Sequence, residues 1–311
     1  MFSPGAAKTL RMEASADAMG SAFTVVLYGD DRNQLQSAAD QALQEARRLD
    51  EMLSNYQPQS EWSKINREAA AHPVIVSKEL FDLLQVCINY SRLSEGAFDI
   101  TVGPLMKVWG FYNGTGRLPR PAEVHEAMGR IGYANITLNT AAHTVFFKQD
   151  GLNLDPGGIG KGYAVDRMVG ILKNNGIESG LVSAAGSSVY GLGAPPDDES
   201  GWHIRIKDPR NPAGFAGEAI LRNESLSTSG SSEKFFFAEG KTWSHLMDPL
   251  TGYPSQGTLS VSVVSPRTLD SEAWAKPYFI KGRQWTAAHK PRTDRVFYCE
   301  DKADQPCVWL Q

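Results

Sequence analysis

The sequence has few cysteines, no long apolar run and no large excess of charge of either sign. Its 311 residues include three cysteines, and their spacing matches no metal-binding motif. No segment approaches the roughly 20 apolar residues that span a bilayer, so we expect no transmembrane segment. The net charge of −4 gives no general attraction to nucleic acid, so we expect no nucleic-acid partner.

The cysteines and the N-terminus add further expectations. Cys87 lies among the apolar residues of a predicted helix and is expected in the core. Cys299 and Cys307 are able to pair with each other. The first residues lack the apolar core of a signal peptide, which leaves the cellular location open because a trimmed mature form has the same appearance.

Apolar periodicity predicts an α+β fold. A strand is predicted over 19–28, and short strands are predicted around 136–138 and 144–147. An alanine-rich stripe at helical spacing predicts a closely packed helix: Leu35, Ala38, Ala42, Ala46, Leu49 and Leu53. Ser77 is expected to cap a second helix, Gly176 to stop a third, and Asp270 to start a fourth. Strands and paired helices mix without regular βαβ alternation, which favours α+β.

The stretch "NLDPGGIGKGYAVDRM" (153–168) contains four glycines and a lysine at the start of a predicted helix. Its spacing fits neither the P-loop nor the dinucleotide fingerprint. Lys161 falls in the first helical turn, where the helix dipole disfavours a cation unless a bound anion compensates. The alternative is a solvated lysine after a glycine turn, with Asp155 capping the helix. From this stretch alone both interpretations stay open.

Four motifs occur in one order along the chain: "SEGAFDITVGPL", "NLDPGGIGKGYAVD", "SLSTSGSSEKFF" and "WSHLMDPLTGYP". Together they resemble the ApbE family of flavin transferases, the FAD:protein FMN transferases, over about 19–282. The resemblance implies an α+β architecture of the T-fold type, with mixed or antiparallel sheets, packed helices and FAD bound between two halves. It divides the chain into an N-terminal arm, 1–18, and a flavin transferase domain of two intertwined subdomains, 19–311.

The same resemblance implies the reaction and its partners. The family moves the FMN half of FAD onto a threonine hydroxyl of an acceptor protein and releases AMP. Family members usually work outside the cytoplasm. The positions implied to contact FAD are Met19, Tyr56, Ala97, Phe98, Asp99, Asp155, Lys161 and His245. The implied catalytic residues are His245, as the base, and Asp248.

The family also implies Mg²⁺, held by a backbone carbonyl that falls at Gly158 and by a helix that carries an aspartate and a threonine. Here that helix reads "SEAWAKPYFIKG", with Glu272 in place of the aspartate and Lys276 in place of the threonine. Pro277 is predicted to kink or end the helix, and Glu272 has an ordinary alternative as a first-turn residue of a helix capped by Asp270.

Two outcomes follow from this departure. Either Lys276 stands in for the metal as the positive group that faces the pyrophosphate, or the protein binds FAD without catalysis. A separate alternative for the function is a pyrophosphatase that splits FAD into FMN and AMP.

Overall fold

The computed structural model describes residues 9–311 and gives an α+β fold. The strands of this range form one eight-stranded sheet, one three-stranded sheet and two two-stranded ribbons. All pairings between these strands are antiparallel. The predicted α+β class with antiparallel sheets and packed helices is confirmed.

The elements have the following bounds. The helices are α1 Arg32–Leu53, α2 Glu61–Glu68, α3 Lys78–Leu93, α4 Gly103–Val108, α5 Pro121–Met128, α6 Gly160–Asn174 and α7 Thr268–His289. The first strands are β1 Leu10–Ala18, β2 Ser21–Gly29, β3 Val74–Ile75, β4 Ile136–Asn139, β5 Thr144–Phe147, β6 Ser179–Ala184 and β7 Ser188–Leu192. The others are β8 Trp202–Asp208, β9 Asn211–Leu221, β10 Glu224–Gly230, β11 Phe235–Ala238, β12 Lys241–Ser244, β13 Thr258–Ser265, β14 Arg295–Glu300 and β15 Val308–Leu310.

Three helices pack against the large sheet. Its strand order is β1-β2-β6-β7-β10-β13-β14-β15. Helix α1 packs against β1 and β2, α6 against β6 and β7, and α7 against β10 and β13, while α6 also contacts both other helices. The β8–β9 ribbon contributes Trp202 and Leu221 to a second apolar cluster with strand residues such as Leu226. Because α6 and α7 contact each other directly, residues of the two helices lie close together beside the sheet.

The alanine-rich stripe forms the buried face of α1, as predicted. Ala38, Ala42 and Ala46 are fully buried, and α1 contacts α6 along this face. Small side chains allow two helix backbones to approach closely, and the surrounding leucines supply the apolar area that stabilises the pair.

Several predicted boundaries are confirmed. The Ser77 hydroxyl accepts a hydrogen bond from the backbone N–H of Leu80 at 3.3 Å, so it caps α3. β4 and β5 lie where short strands were expected. Gly176 has a φ of +74°, the left-handed conformation typical of a residue just beyond a helix C-terminus.

The prediction that Pro277 kinks or ends its helix is wrong. α7 runs through Pro277 and breaks at Gly282, where φ is 85° and ψ is 171°. A glycine tolerates this conformation because it has no Cβ. The flanking Ala275, Tyr278 and Phe279 are fully buried, and this packing holds the turn around the proline despite the missing N–H.

The start of α7 also differs from its prediction. The helix begins at Thr268 instead of Asp270. The Asp166 carboxylate, on α6, accepts from the backbone N–H groups of Thr268 at 2.7 Å and Leu269 at 2.9 Å. Asp270 instead pairs with Arg267 at 2.8 Å. A cap supplied by another helix therefore fixes the start of α7 against α6.

The N-terminal arm lies partly in the sheet. Residues 10–18 form edge strand β1, which pairs with β2 along its whole length. The expected arm also includes residues 1–8, which lie outside the described residues. Over the range that the structure describes, no helix is long and apolar enough to cross a membrane.

The structure gives one buried free cysteine and one disulfide. Cys87 is fully buried and free. Cys299 and Cys307 form a disulfide, so the pairing left open by the sequence is present. The bond joins β14 to the segment that leads into β15, at the far edge of the large sheet.

Asp294 provides a prediction about stability. Its side chain is only 3% exposed, one carboxylate oxygen has no hydrogen-bond partner within the described range, and burial raises its pKa to about 6. The unfolded chain therefore binds fewer protons than the folded one between about pH 4 and about pH 6, so the free energy of unfolding falls as pH rises through this window.

We expect Asp294→Asn to raise the free energy of unfolding by about 2–3 kcal/mol at about pH 8 and to change it little at about pH 4. Urea unfolding at the two pH values checks this, and an equal effect at both would contradict it.

Candidate active site

The glycine stretch ends where α6 begins and places Lys161 in the first turn of that helix. α6 starts at Gly160, and Ile159 before it makes no side-chain cap. The Lys161 ammonium donates to the Ser187 hydroxyl at 2.5 Å. The lysine is therefore held beside the positive end of the helix dipole, which favours an anionic ligand there.

Asp155 shapes the loop before α6. Its Oδ1 accepts from the backbone N–H of Gly157 at 2.7 Å, and its Oδ2 accepts from the Tyr112 hydroxyl at 2.6 Å. Burial raises the pKa of Asp155, and these hydrogen bonds oppose that shift. The alternative in which Asp155 caps α6 is wrong, because its carboxylate is occupied by the loop and by Tyr112.

The first turn of α6 lies directly against α7 at Gly162. Its backbone N–H donates to Glu272 Oε2 at 2.5 Å. A Cβ on Gly162 would lie 2.5 Å from the Thr268 carbonyl oxygen and 2.8 Å from Glu272 Oε2. Only glycine allows this approach, and the approach buries Glu272, which is 2% exposed.

Lys276 lies one turn further along α7, between Glu272 and the glycine stretch. Its ammonium donates to the Glu272 backbone oxygen at 2.9 Å and lies 3.7 Å from Glu272 Oε1. A Cβ on Gly158 would lie 3.8 Å from Lys276 Cε. The three positions associated with the family metal thus converge, and the cation among them is an ammonium.

Side chains from these elements surround a small cavity of about 40 Å³, which we call the lysine cavity. It has room for a few waters or for part of a charged ligand. Its lining residues are Gly157, Lys161, Ser187, Ser188, Thr228, Ser229, Glu233, His245, Leu246, Glu272 and Lys276. Two ammonium groups from different helices therefore lie on one cavity.

His245 lies on this cavity, just after β12. Its Nδ1 is 3.2 Å from the Lys234 carbonyl oxygen. A carbonyl only accepts, so Nδ1 carries the proton and the lone pair of Nε2 is free. Burial lowers the pKa of His245 to about 4. The ring is therefore neutral near pH 7 and able to take a proton.

Asp248 lies in the turn that follows His245. Its Oδ1 accepts from the Leu250 N–H at 2.9 Å and its Oδ2 from the Thr251 hydroxyl at 3.0 Å. Its own N–H donates to the Tyr253 carbonyl oxygen at 2.9 Å. Asp248 holds the turn that positions His245, and it is absent from the lining of the lysine cavity.

The segment of Ala97, Phe98 and Asp99 lies behind the glycine stretch. Ala97 and Phe98 are buried, and a Cβ on Gly158 would lie 3.2 Å from the Phe98 ring. The Asp99 carboxylate accepts from the Thr101 N–H and hydroxyl, at 2.8 and 2.7 Å, and from the Tyr133 N–H at 2.9 Å. Burial raises the pKa of Asp99. Within this segment Asp99 fixes the loop, while Phe98 supports the glycine stretch.

Tyr56 lies beside a larger cleft of about 390 Å³, which we call the aromatic cleft. Its side chain is 75% exposed, so it is not a packing residue, and its ring meets the Tyr112 ring edge-on at 6.5 Å. The lining residues are Tyr56, Phe111, Tyr112, Gly114, Gly116, Glu233, Lys234 and Phe235. An exposed tyrosine here offers a flat surface to an aromatic ligand.

Met19 lies in the turn between β1 and β2, with a φ of +51°. A Cβ on Gly160 would lie 3.5 Å from its sulfur. Met19 thus covers the start of α6 from the side of the sheet.

Sequence reasoning missed several residues of the site. Glu233 and Lys234 lie within the motif "SLSTSGSSEKFF", which is the signal that points to them. Ser187 lies in the stretch "SAAGSS", which departs from the usual family sequence and is a signal, whereas Tyr112 lies outside the four motifs and has none. They are found through their contacts with Lys161 and Asp155, which join residues far apart in the sequence.

Residues 19–297 match the family model described as the ApbE family. The chain belongs to the ApbE family. The FAD:protein FMN transferase of Klebsiella pneumoniae (strain 342) is 32% identical over 285 residues, covering 90% of this chain and 86% of that protein. The FAD:protein FMN transferase of Treponema pallidum (strain Nichols) is 30% identical, covering 81% and 74%. The crystal structure of the ApbE protein of Thermotoga maritima has a TM-score of 0.86, is 28% identical, and covers 94% and 95%.

The ApbE match includes every site residue expected from the sequence, from Met19 to Lys276. The structure brings Lys161, His245, Glu272 and Lys276 to the lysine cavity and Tyr56 to the adjoining cleft. Asp155, Asp99 and Asp248 lie around these spaces with their carboxylates engaged in loop hydrogen bonds. The roles of Asp155 and Asp99 as FAD contacts, and of Asp248 in catalysis, remain predictions.

Proposed function

We propose that this protein transfers the FMN part of FAD to an acceptor protein, at a threonine hydroxyl, with release of AMP. The observation that carries the proposal is the neutral His245 ring on the same cavity as Lys161 and Lys276. The FAD:protein FMN transferases among its relatives support it.

The shape of the site suits a ligand with a ring at one end and a pyrophosphate in the middle. The aromatic cleft and the lysine cavity share Glu233 in their linings, so they adjoin. The cleft has a volume within the usual range of small-molecule sites. In the proposed complex a ring of FAD lies against Tyr56, and the pyrophosphate lies toward Lys161 and the start of α6.

The proposed reaction is a displacement at the phosphorus of the FMN half. The acceptor hydroxyl oxygen forms a bond to this phosphorus, and the bond to the bridging oxygen of the pyrophosphate breaks. AMP leaves with that oxygen, and the hydroxyl proton passes to Nε2 of His245. The lysines hold the phosphate charge in place, which lowers the barrier by positioning and electrostatic stabilisation.

Mg²⁺, which the resemblance implies, does not fit the donor set of this site. Within the described residues no group of three or more His, Cys, Asp or Glu side chains is placed to hold a metal. Glu272 already accepts from the Gly162 N–H, and the Lys276 ammonium lies beside its other oxygen. Mg²⁺ requires near-octahedral oxygen ligands at about 2.0–2.1 Å, and a protonated lysine supplies none. The reaction above therefore uses residues of this chain alone.

A labelling reaction tests the proposed function. The protein and FAD are incubated with an acceptor domain that the Klebsiella pneumoniae relative labels in a parallel reaction, and a denaturing gel is viewed under ultraviolet light. We expect a fluorescent acceptor band, and none when the target threonine of the acceptor is replaced by alanine.

The other outcomes distinguish the two alternatives. Release of FMN and AMP without acceptor would identify a pyrophosphatase. Stoichiometric FAD that stays bound and uncleaved would identify a non-catalytic FAD-binding protein. Either result without an acceptor band would contradict the proposed transfer.

A further inference from the structure

Lys276 lines the lysine cavity beside Glu272 and the glycine stretch. Its side chain passes Gly158 and ends beside the Glu272 backbone oxygen and carboxylate, and it lines the lysine cavity. An ammonium carries three N–H groups. One donates to the Glu272 backbone oxygen at 2.9 Å, which leaves further N–H groups for a ligand in the cavity.

Glu272 holds this ammonium in place. Its Oε2 is fixed by the Gly162 N–H at 2.5 Å, and its Oε1 lies 3.7 Å from the Lys276 Nζ. The carboxylate is buried between α6 and α7 and so provides a fixed negative partner. Burial lowers the pKa of Lys276, and the Glu272 carboxylate opposes that shift by its charge and hydrogen bonding.

The positive charges around the lysine cavity come from several elements of the fold. Lys161 comes from the start of α6, Lys276 from α7, and Lys234 lines the adjoining cleft. Glu272 compensates Lys276, and Glu233 is the other carboxylate of the lining. A pyrophosphate would add two negative charges beside two lysines and the positive end of α6.

We propose that the Lys276 ammonium acts as a built-in cation in place of Mg²⁺, so that FAD binds and reacts without a metal. The inference rests on the proposed function for its ligand, because FAD is the source of the pyrophosphate. Lys276 and Lys161 then share the phosphate oxygens, and Glu272 positions Lys276.

FAD titration, followed by quenching of flavin fluorescence, tests the inference with wild type and variants in excess EDTA and in saturating MgCl₂. We expect the wild-type Kd to be the same in both buffers. Lys276→Met should weaken FAD binding by about 10- to 100-fold, the cost of losing one charged hydrogen-bond donor. Lys276→Arg should retain most of the affinity because it keeps the charge.

The matched control is Lys281→Met. Lys281 lies on the same helix but pairs with Glu95 at 3.0 Å and lines neither cavity. It should leave the Kd unchanged, and thermal unfolding of each variant shows that it is folded.

Three results would overturn the inference. They are wild-type FAD binding that needs Mg²⁺, an unchanged Kd in folded Lys276→Met, and acceptor labelling that stops in EDTA. If labelling requires Mg²⁺, the proposed function still stands. If FAD binds through Lys276 without metal but no acceptor is labelled, the inference stands and the transfer fails.

Discussion

Replacing His245 with glutamine should slow acceptor labelling by about 100- to 10,000-fold, the usual contribution of a positioned general base. The reason is geometric: Nδ1 donates to the Lys234 carbonyl oxygen, so Nε2 is the free acceptor on the lysine cavity. Glutamine keeps polarity and approximate size but cannot take the hydroxyl proton. The labelling rate under single-turnover conditions measures the effect.

The control for this variant is His203→Gln. His203 lies on the β8–β9 ribbon, paired with Asp198 and Glu218, and lines neither cavity. It should retain wild-type labelling. His245→Gln should lower the FAD affinity much less than the labelling rate, because its proposed role in the reaction concerns the acceptor proton. A loss of FAD binding equal to the loss of rate would argue for a structural role.

The pH profile separates a base from a structural histidine. Burial lowers the pKa of His245 to about 4, and kcat/KM reports groups of the free enzyme. The acid limb of kcat/KM should therefore lie near pH 4 in wild type, and His245→Gln should lose it. A limb near pH 6.5, the ordinary histidine value, would contradict the proposed environment of His245.

Gly162→Ala should disrupt the junction of α6 and α7. A Cβ there would lie 2.5 Å from the Thr268 carbonyl oxygen, which is backbone and cannot rotate away. The helices must separate, and the Gly162 N–H must leave Glu272. We expect the free energy of unfolding to fall by about 1–3 kcal/mol or more. FAD affinity should fall as well, because Glu272 no longer fixes Lys276.

The matched control is Gly170→Ala on the same helix. A Cβ on Gly170 meets nothing within 4 Å, so alanine should stabilise the helix by about 0.5–1 kcal/mol. Urea unfolding and FAD titration of both variants check the pair. Equal stability of the two variants would contradict the account of the junction.

Local sequence patterns correctly predicted features that depend on interactions between residues close together in the sequence. The stripe in α1, the Ser77 cap and the placement of Lys161 in a first helical turn depend on spacing within a few residues, and the structure confirms them. The ordered motifs identified the family that the comparisons confirm.

The predictions of helix boundaries and caps that were wrong are those in which a residue distant in the sequence determines the local structure. Asp166 caps α7 across about a hundred residues of sequence, so the predicted start at Asp270 was late. Asp155 bonds to Tyr112 instead of capping α6. Helix α7 continues through Pro277 because tertiary packing outweighs one lost hydrogen bond.

The ratio of AMP released to flavin attached to the acceptor distinguishes FMN transfer from FAD hydrolysis and from FAD binding alone. The protein is incubated with FAD and acceptor domain in excess EDTA, AMP is quantified by chromatography, and attached flavin is quantified from the intact mass of the acceptor. We expect one AMP for each flavin attached, with no AMP when the acceptor is omitted. AMP that accumulates with free FMN, or bound FAD that yields no AMP, would contradict it.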